Sequence, residues 1–252
     1  MGADGLKPDR TEAGGVPVPP WRTPRKQAQV KRQLSQDLIV EAGLRILDAE
    51  GFDALSMRRV AQELDTGPAS LYAHVANKDE LLELVYDRVL GEIDLPERDP
   101  LRWKEQLRAY AMEVHRVFGV HGDVARAALA NIPTGENSLR AGEFLFGLLI
   151  EAGMPPRDAS LAVDRLSLYI VGDAYEGSLH WARMRAAGLT DPGEYFEAFA
   201  GQIADYYRTL PVARFPHLRE FIDDLIAGDG EDRFRYGLEL LLDGIEARMP
   251  RR

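Results

Sequence analysis

From residue 35 onward, apolar positions recur with the spacing of a helix face. Ile39, Ala42, Ile46 and Leu47 make one stripe, and Met57, Val60, Ala61 and Leu64 make a second at i, i+3, i+4 and i+7. The spacing predicts two short amphipathic helices. Ser35 and Ser56 stand at their N-cap positions, where a hydroxyl accepts from an otherwise unpaired backbone N–H, and Gly51 stops the first helix. Asp65, Thr66, Gly67 and Pro68 form a turn cluster, with Pro68 suited to the first turn of a third helix over residues 69–75. Asn77 and Lys78 end that helix. Asp79 opens a fourth, carried by Leu81, Leu82, Val85, Val89 and Leu90 to about Ile93.

Beyond a linker from Pro96 to Pro100 the helical period returns in longer blocks, at about 101–118, 123–130, 138–151, 157–186, 192–210, 218–227 and 231–249. Gly and Pro sets separate them: Ile132 to Gly135, Met154 to Pro156, Gly188 to Gly193, Pro211 to Pro216 and Gly228 to Gly230. Almost nothing alternates with period two and no repeat of fixed length shows, so the fold class is all-α and not a helical solenoid. Before residue 35 the pattern vanishes. Pro8, Pro17, Pro19, Pro20 and Pro24, with Gly2, Gly5, Gly14 and Gly15, interrupt residues 1–34 too often for a stable helix, which predicts a disordered arm.

Charge refines this division. The chain carries a net charge of −10, yet residues 1–80 hold 11 Lys and Arg against 12 Asp and Glu, leaving 20 against 29 for the rest. Residues 21–34 contain Arg22, Arg25, Lys26, Lys31 and Arg32 and no acid, so a basic arm precedes an acidic body. Taken alone, that arm reads as well as an incidental solvated tail. The absence of cysteine excludes disulfides, thiolate metal sites and cysteine nucleophiles. No apolar run reaches the roughly 18 residues that span a bilayer, and residues 1–20 lack the apolar block of a secretion signal, so a cytoplasmic protein without a membrane partner is expected.

The most specific chemistry lies at residues 55–78, where two short helices meet at a tight turn, the layout of a helix-turn-helix whose second helix enters the major groove. The run Leu71-Tyr72-Ala73-His74-Val75-Ala76-Asn77-Lys78 resembles the signature of the TetR family of one-component repressors. Gly67 to Tyr72 and Lys78 to Leu82 resemble the branch whose C-terminal region is like that of the tetracycline repressor. The resemblance implies a three-helix DNA-binding head over 35–93, joined by a long helix to a ligand-binding and dimerisation body over 94–252. Two residues depart from the family pattern: Asp65 where Gly is usual, and Thr66 where a small apolar residue packs. Asp tolerates a left-handed backbone better than most residues, so the turn is expected to survive.

Ser56 and Arg58 lie in the first turn of the helix that crosses the duplex, where hydroxyl, cation and free N–H groups meet phosphates. Pro68, Ala69, Ser70, Tyr72, Ala73 and His74 face the groove if Leu71 and Val75 face the core. Pro68 and Ala69 then offer apolar contact to a thymine methyl, and Tyr72 and His74 hydrogen-bond phosphate. Singly, Tyr72 also reads as a half-buried packing residue and His74 as a surface histidine. Lys78 is a further phosphate clamp by resemblance.

In the body, Leu166, Tyr169, Asp173, Gly177 and His180 repeat at helical spacing, as do Trp103, Leu107, Tyr110, Val114 and Phe118. Such stripes are more often plain core, but their polar members make Trp103, Tyr110, His115, Tyr169, Asp173 and His180 the candidate ligand residues. Phe234, Leu238, Leu241, Leu242 and Ile245 give the last helix a broad apolar face, which either closes its own domain or pairs two copies into the family's four-helix bundle. The five histidines include no i, i+4 pair, and no His-Glu-x-x-His, Gly-x-Ser-x-Gly or Walker sequence occurs, so no enzyme is indicated and no cofactor or metal is specified. A metal-assisted site at His115 or His180 stays conceivable by resemblance. The expectation is a homodimeric repressor, released from a palindromic operator by a small, partly apolar molecule. The rival is a helical binding protein or enzyme with a vestigial head.

Overall fold

The computed structural model describes residues 33–121, 123–128 and 134–250, all of them α-helix, 3-10 helix, turn or loop, with no strand among them. The expected arm therefore lies almost wholly outside the described residues. The first helices are α1 (Gln36–Glu50), α2 (Met57–Glu63), α3 (Pro68–Leu71) and α4 (Lys78–Leu90). Both serine caps form: Ser35 Oγ accepts from Leu38 N–H at 3.3 Å and Ser56 Oγ from Arg59 N–H at 3.1 Å. Gly51 ends α1 at φ +90°, a backbone that a side chain would strain. Asp65 sits at φ +49°, the left-handed conformation that the sequence demanded of it and the one positive φ outside glycine among the described residues.

The third helix is shorter than its period suggested. Its α-helical part stops at Leu71, whose carbonyl accepts from both His74 and Val75 N–H, so residues 72–75 continue as closing turns. Two capping contacts pull the chain away there: Gln36 Nε2 donates to the His74 carbonyl, and Asn77 turns extended to accept from Glu80 N–H at 2.9 Å. Asn77 is thus the cap of α4 and Lys78 its first residue, one position earlier than expected.

The body comprises α5 (Trp103–Val120), introduced by a 3-10 turn at Pro100–Arg102, then α6 (Val124–Ala128), α7 (Glu136–Glu151), α8 (Pro156–Ala186), α9 (Pro192–Arg208), α10 (Pro216–Glu220), α11 (Ile222–Ile226) and α12 (Gly230–Glu246). The single helix expected over 218–227 is in fact two, because Phe221 leaves helical geometry at φ −106°, ψ +27°. The predicted ends at Ala130 and the breaker at Ile132-Pro133 fall outside the described residues.

Helix α4 packs on α1 on one side and on α6 and α7 on others, so head and body share a continuous core running from Ile39, Leu81 and Val85 to Phe118, Leu148 and Phe234. The first turn of α7 has no cap of its own, since Gly135 lacks a side chain. Asp87 of α4 supplies one: its carboxylate accepts from Ser138 N–H and Oγ–H at 2.8 Å each and from Asn137 N–H at 3.3 Å. A Cβ at Gly135 would collide with that carboxylate, so the glycine permits the approach.

The last helix corrects an expectation. Phe234, Leu238, Leu242 and Ile245 are buried within the protomer, against α5 and α8, so this stripe closes its own domain. Other apolar residues face out: Tyr236 and Leu240 on α12, and Leu161 and Leu168 on α8, which packs on α12, are 48–71% exposed.

The left-handed Asp65 costs on the order of 1 kcal/mol relative to glycine. Asp65→Gly is expected to raise the unfolding free energy obtained from urea titration by about that amount, and Asp65→Val to lower it; equal free energies would show the turn to be unstrained.

Candidate nucleic-acid interface and ligand region

The head buries what the helix-turn-helix reading wants inside. Leu71 is 0% and Val75 1% exposed, whereas Pro68, Ala69, Ser70 and Ala73 lie open and Tyr72 is 54% exposed. The structure thus brings Pro68, Ala69, Ser70 and Tyr72 onto one outward surface, with His74 partly covered at its end.

Neighbouring cations divide sharply by partner. Arg59 is held by Glu50 and by Glu63 at 3.1 Å, Arg45 faces Glu63 at 3.6 Å, and Arg88 binds Glu41 at 2.7 Å and Glu92 at 3.0 Å. Those side chains stitch the head together. Arg58 is exposed and has no acidic partner among the described residues; the half-buried Lys78 has none there either, and its ammonium lies 4.9 Å from the centre of the Phe52 ring. Ser56 uses its oxygen as a cap acceptor, which leaves its O–H free to donate. Unpaired donors beside an outward apolar pair are the chemistry of phosphate contact and base-edge readout.

In the body, three of the six candidate ligand residues meet. His115 Nε2 lies 3.2 Å from Asp173 Oδ2, and His115 and Tyr169 both stack on Phe234, with centroids at 4.0 and 5.3 Å. The Tyr169 hydroxyl donates to the Phe234 carbonyl at 2.7 Å; desolvation, with the Asp173 charge nearby, pushes its pKa up to about 12 and keeps it a donor. Tyr110 is elsewhere, 6.3 Å from Phe144, and its burial also pushes its pKa up. Trp103 begins α5, about 18 Å of helix rise before His115. His180 packs among Tyr195, Phe196 and Phe199, where desolvation, then Arg183, lowers its pKa, and its Nδ1 is hydrogen-bonded with the Tyr195 hydroxyl at 3.2 Å.

Spacing gave no sign of what joins head to body. His121, just past α5, places Nδ1 3.0 Å from both Asp48 oxygens and Nε2 3.3 Å from Glu92. A neutral ring has one N–H, so two carboxylate-facing nitrogens require the imidazolium, and the Asp48 hydrogen bond raises the His121 pKa. Asp123 accepts from Phe52 N–H at 2.8 Å and meets Arg185 at 3.3 Å. A cleft of about 360 Å3 opens beside it, lined by Leu47, Asp48, Val120, Trp181, Met184 and Arg185 among others; none of the six candidate ligand residues is in its wall.

Two family models match this chain: "Bacterial regulatory proteins, tetR family" over residues 39–85 and "Tetracyclin repressor-like, C-terminal domain" over 95–249. The chain belongs to the TetR family. Its TetR relatives include a transcriptional regulator of Saccharopolyspora erythraea and the repressor DrrR1 of Streptomyces coeruleorubidus, each 32% identical over 92% of this chain and covering 93% and 85% of theirs. The crystal structure of Streptomyces coelicolor ActR in complex with actinorhodin is 42% identical over 85% of this chain and 96% of that one, with a TM-score of 0.74. This TetR-family chain is accordingly a ligand-responsive, DNA-binding transcriptional repressor, and its relatives are regulators rather than enzymes. No helix among its described residues is long and apolar enough to cross a membrane, and no group of three or more His, Asp or Glu there can hold a metal ion.

The raised His121 pKa carries a definite sign. The stabilisation is complete below the unfolded value near 6.5 and fades as pH rises through the folded value. His121→Gln is therefore expected to lower the melting temperature most at pH 6, with the gap closing under alkaline conditions. A gap independent of pH would mean that the ring contributes packing alone.

Proposed function

We propose that the protein acts as a homodimer that reads a palindromic operator with Pro68, Ala69, Ser70, Tyr72 and His74 and anchors it with Ser56, Arg58 and Lys78. The observation that carries this is the sorting of side chains on the head: cations and hydroxyls with no internal acid lie beside the exposed recognition surface, while adjacent cations are consumed in ion pairs. A vestigial head would have no reason to keep Arg58 and Lys78 unpaired.

The exposure of Leu161, Leu168, Tyr236 and Leu240 supports the dimer, because α8 packs on α12 and both helices leave apolar side chains open to a second copy. The effector is a small, partly apolar molecule. Its proposed contacts centre on His115, Tyr169 and Asp173, with Trp103, Tyr110 and His180 marking how far a larger ligand would reach. ActR binds actinorhodin, which makes that compound the first probe.

Selection of random duplexes on the purified protein is expected to enrich a palindrome whose half-sites lie about 34–36 Å apart or a multiple of it. Lys78→Ala should weaken all sequences alike and flatten the salt dependence by about one unit, whereas Ala69→Ser should shift base preference. Actinorhodin should release the duplex, and Asp173→Ala should blunt release while leaving operator affinity near wild type. No enriched palindrome would sink the operator reading.

Replacing Leu168 and Leu240 together by Glu should leave a folded monomer, since an unpaired charge is costly to desolvate in an apolar interface. Leu242→Glu should instead unfold the protomer. Sedimentation and melting curves separate the two outcomes, and a dimer surviving the Leu168/Leu240 double substitution would place the interface elsewhere.

A further inference from the structure

We propose that Phe52 is a positioning residue for DNA binding, holding Lys78 ready for phosphate and linking it to helix α6 of the body. The inference rests on Lys78 being a phosphate contact. Phe52 belongs to the turn between α1 and α2, far in sequence from both partners. Its backbone N–H donates to Asp123 Oδ2 at 2.8 Å, immediately before α6. Its ring lies 4.1 Å from the Arg126 guanidinium of α6 and 4.9 Å from the Lys78 ammonium. Arg126 also reaches Asp53 at 3.4 Å, and Arg185 of α8 reaches Asp123 at 3.3 Å. The turn fits closely against this support: a Cβ at Gly51 would sit 2.9 Å from Asp123 Oδ2.

The chemistry explains why an aromatic ring suits this place. A carboxylate partner would neutralise Lys78 and compete with phosphate for its protons. A π face attracts the ammonium through its quadrupole, restricts the long side chain, and leaves both the charge and N–H donors available. Two cations sharing one ring also repel each other, so the hold on Lys78 depends on where Arg126 lies. A shift of α6 therefore changes the preparation of a DNA-contacting side chain without any movement of the recognition surface.

The test uses the full-length dimer and the operator recovered by selection, with affinity measured across salt concentrations. Lys78→Ala should flatten the salt slope by about one unit; no change would remove the phosphate role and this inference with it. With Lys78 present, Phe52→Leu should weaken binding about two- to five-fold, and Phe52→Tyr should not. In the Lys78→Ala background Phe52→Leu should have no further effect. An isosteric 3,4,5-trifluorophenylalanine at position 52, which drains the π face while keeping its shape, should reproduce the Leu phenotype with an unchanged melting temperature. Arg126→Gln should alter affinity when the phenylalanine is present and not in Phe52→Leu. If Phe52→Leu costs the same with and without Lys78, or the fluorinated ring binds like the natural one, Phe52 only packs the head and the proposal is overturned.

Discussion

Helix α4 has to serve two structures at once, and most of the molecule follows from that constraint. Its first residue is Lys78, just after the helix-turn-helix; Asp87, about 14 Å further along, caps α7 from outside. Between them Leu81, Leu82 and Val85 lie in the common core. A carboxylate accepting from the free N–H groups at a helix start is stabilised by both hydrogen bonding and the helix dipole, so Asp87 ties the start of α7 to the end of the head. Neither part can rotate about α4 without uncovering polar groups.

Around that beam the junction is polar where it can respond and apolar where it must hold. His121 bridges Asp48 and Glu92, Asp123 receives the Phe52 backbone, and Arg126 lies against the Phe52 ring. These contacts are short in reach and individually modest, whereas Val85, Val89 and Phe118 are almost wholly buried. A ligand acting on the body needs only to favour one arrangement of the polar set by 1–3 kcal/mol, roughly the scale of measured coupling energies, without disturbing the core. The net charge of −10 lies mostly outside the head, since residues 1–80 hold 11 Lys and Arg against 12 Asp and Glu and the rest 20 against 29, and within the head Arg58 and Lys78 have no acidic partner among the described residues.

Local features were legible in the sequence because local chemistry decides them. The caps at Ser35 and Ser56, the burial of Leu71 and Val75, and the left-handed Asp65 each follow from residue type and spacing within a turn or two. Periodicity marks an apolar face but not what covers it, which is why the Phe234 to Ile245 stripe of α12 could be read as an interface when it is core, and why Tyr236 and Leu240 passed unnoticed. The candidate ligand set was gathered by residue type along two helices. Helix rise then scatters it, keeping His115, Tyr169 and Asp173 together and leaving Trp103 and His180 apart. Phe52 and His121 lay beyond reach, because their meaning depends on partners tens of residues away.

If two copies pair through the apolar row on α8 and α12 as proposed, the row has a consequence for how much protein a cell must make. One protomer carries one recognition surface, and a palindrome is gripped by two. While protomers are scarce, the amount of paired protein grows as the square of their concentration, so occupancy of the operator rises more steeply than expression does. In that pairing each exposed leucine of the row tightens the dimer and moves the threshold to lower copy number. The strength of a few surface contacts far from the DNA thus sets the point at which a gene falls silent.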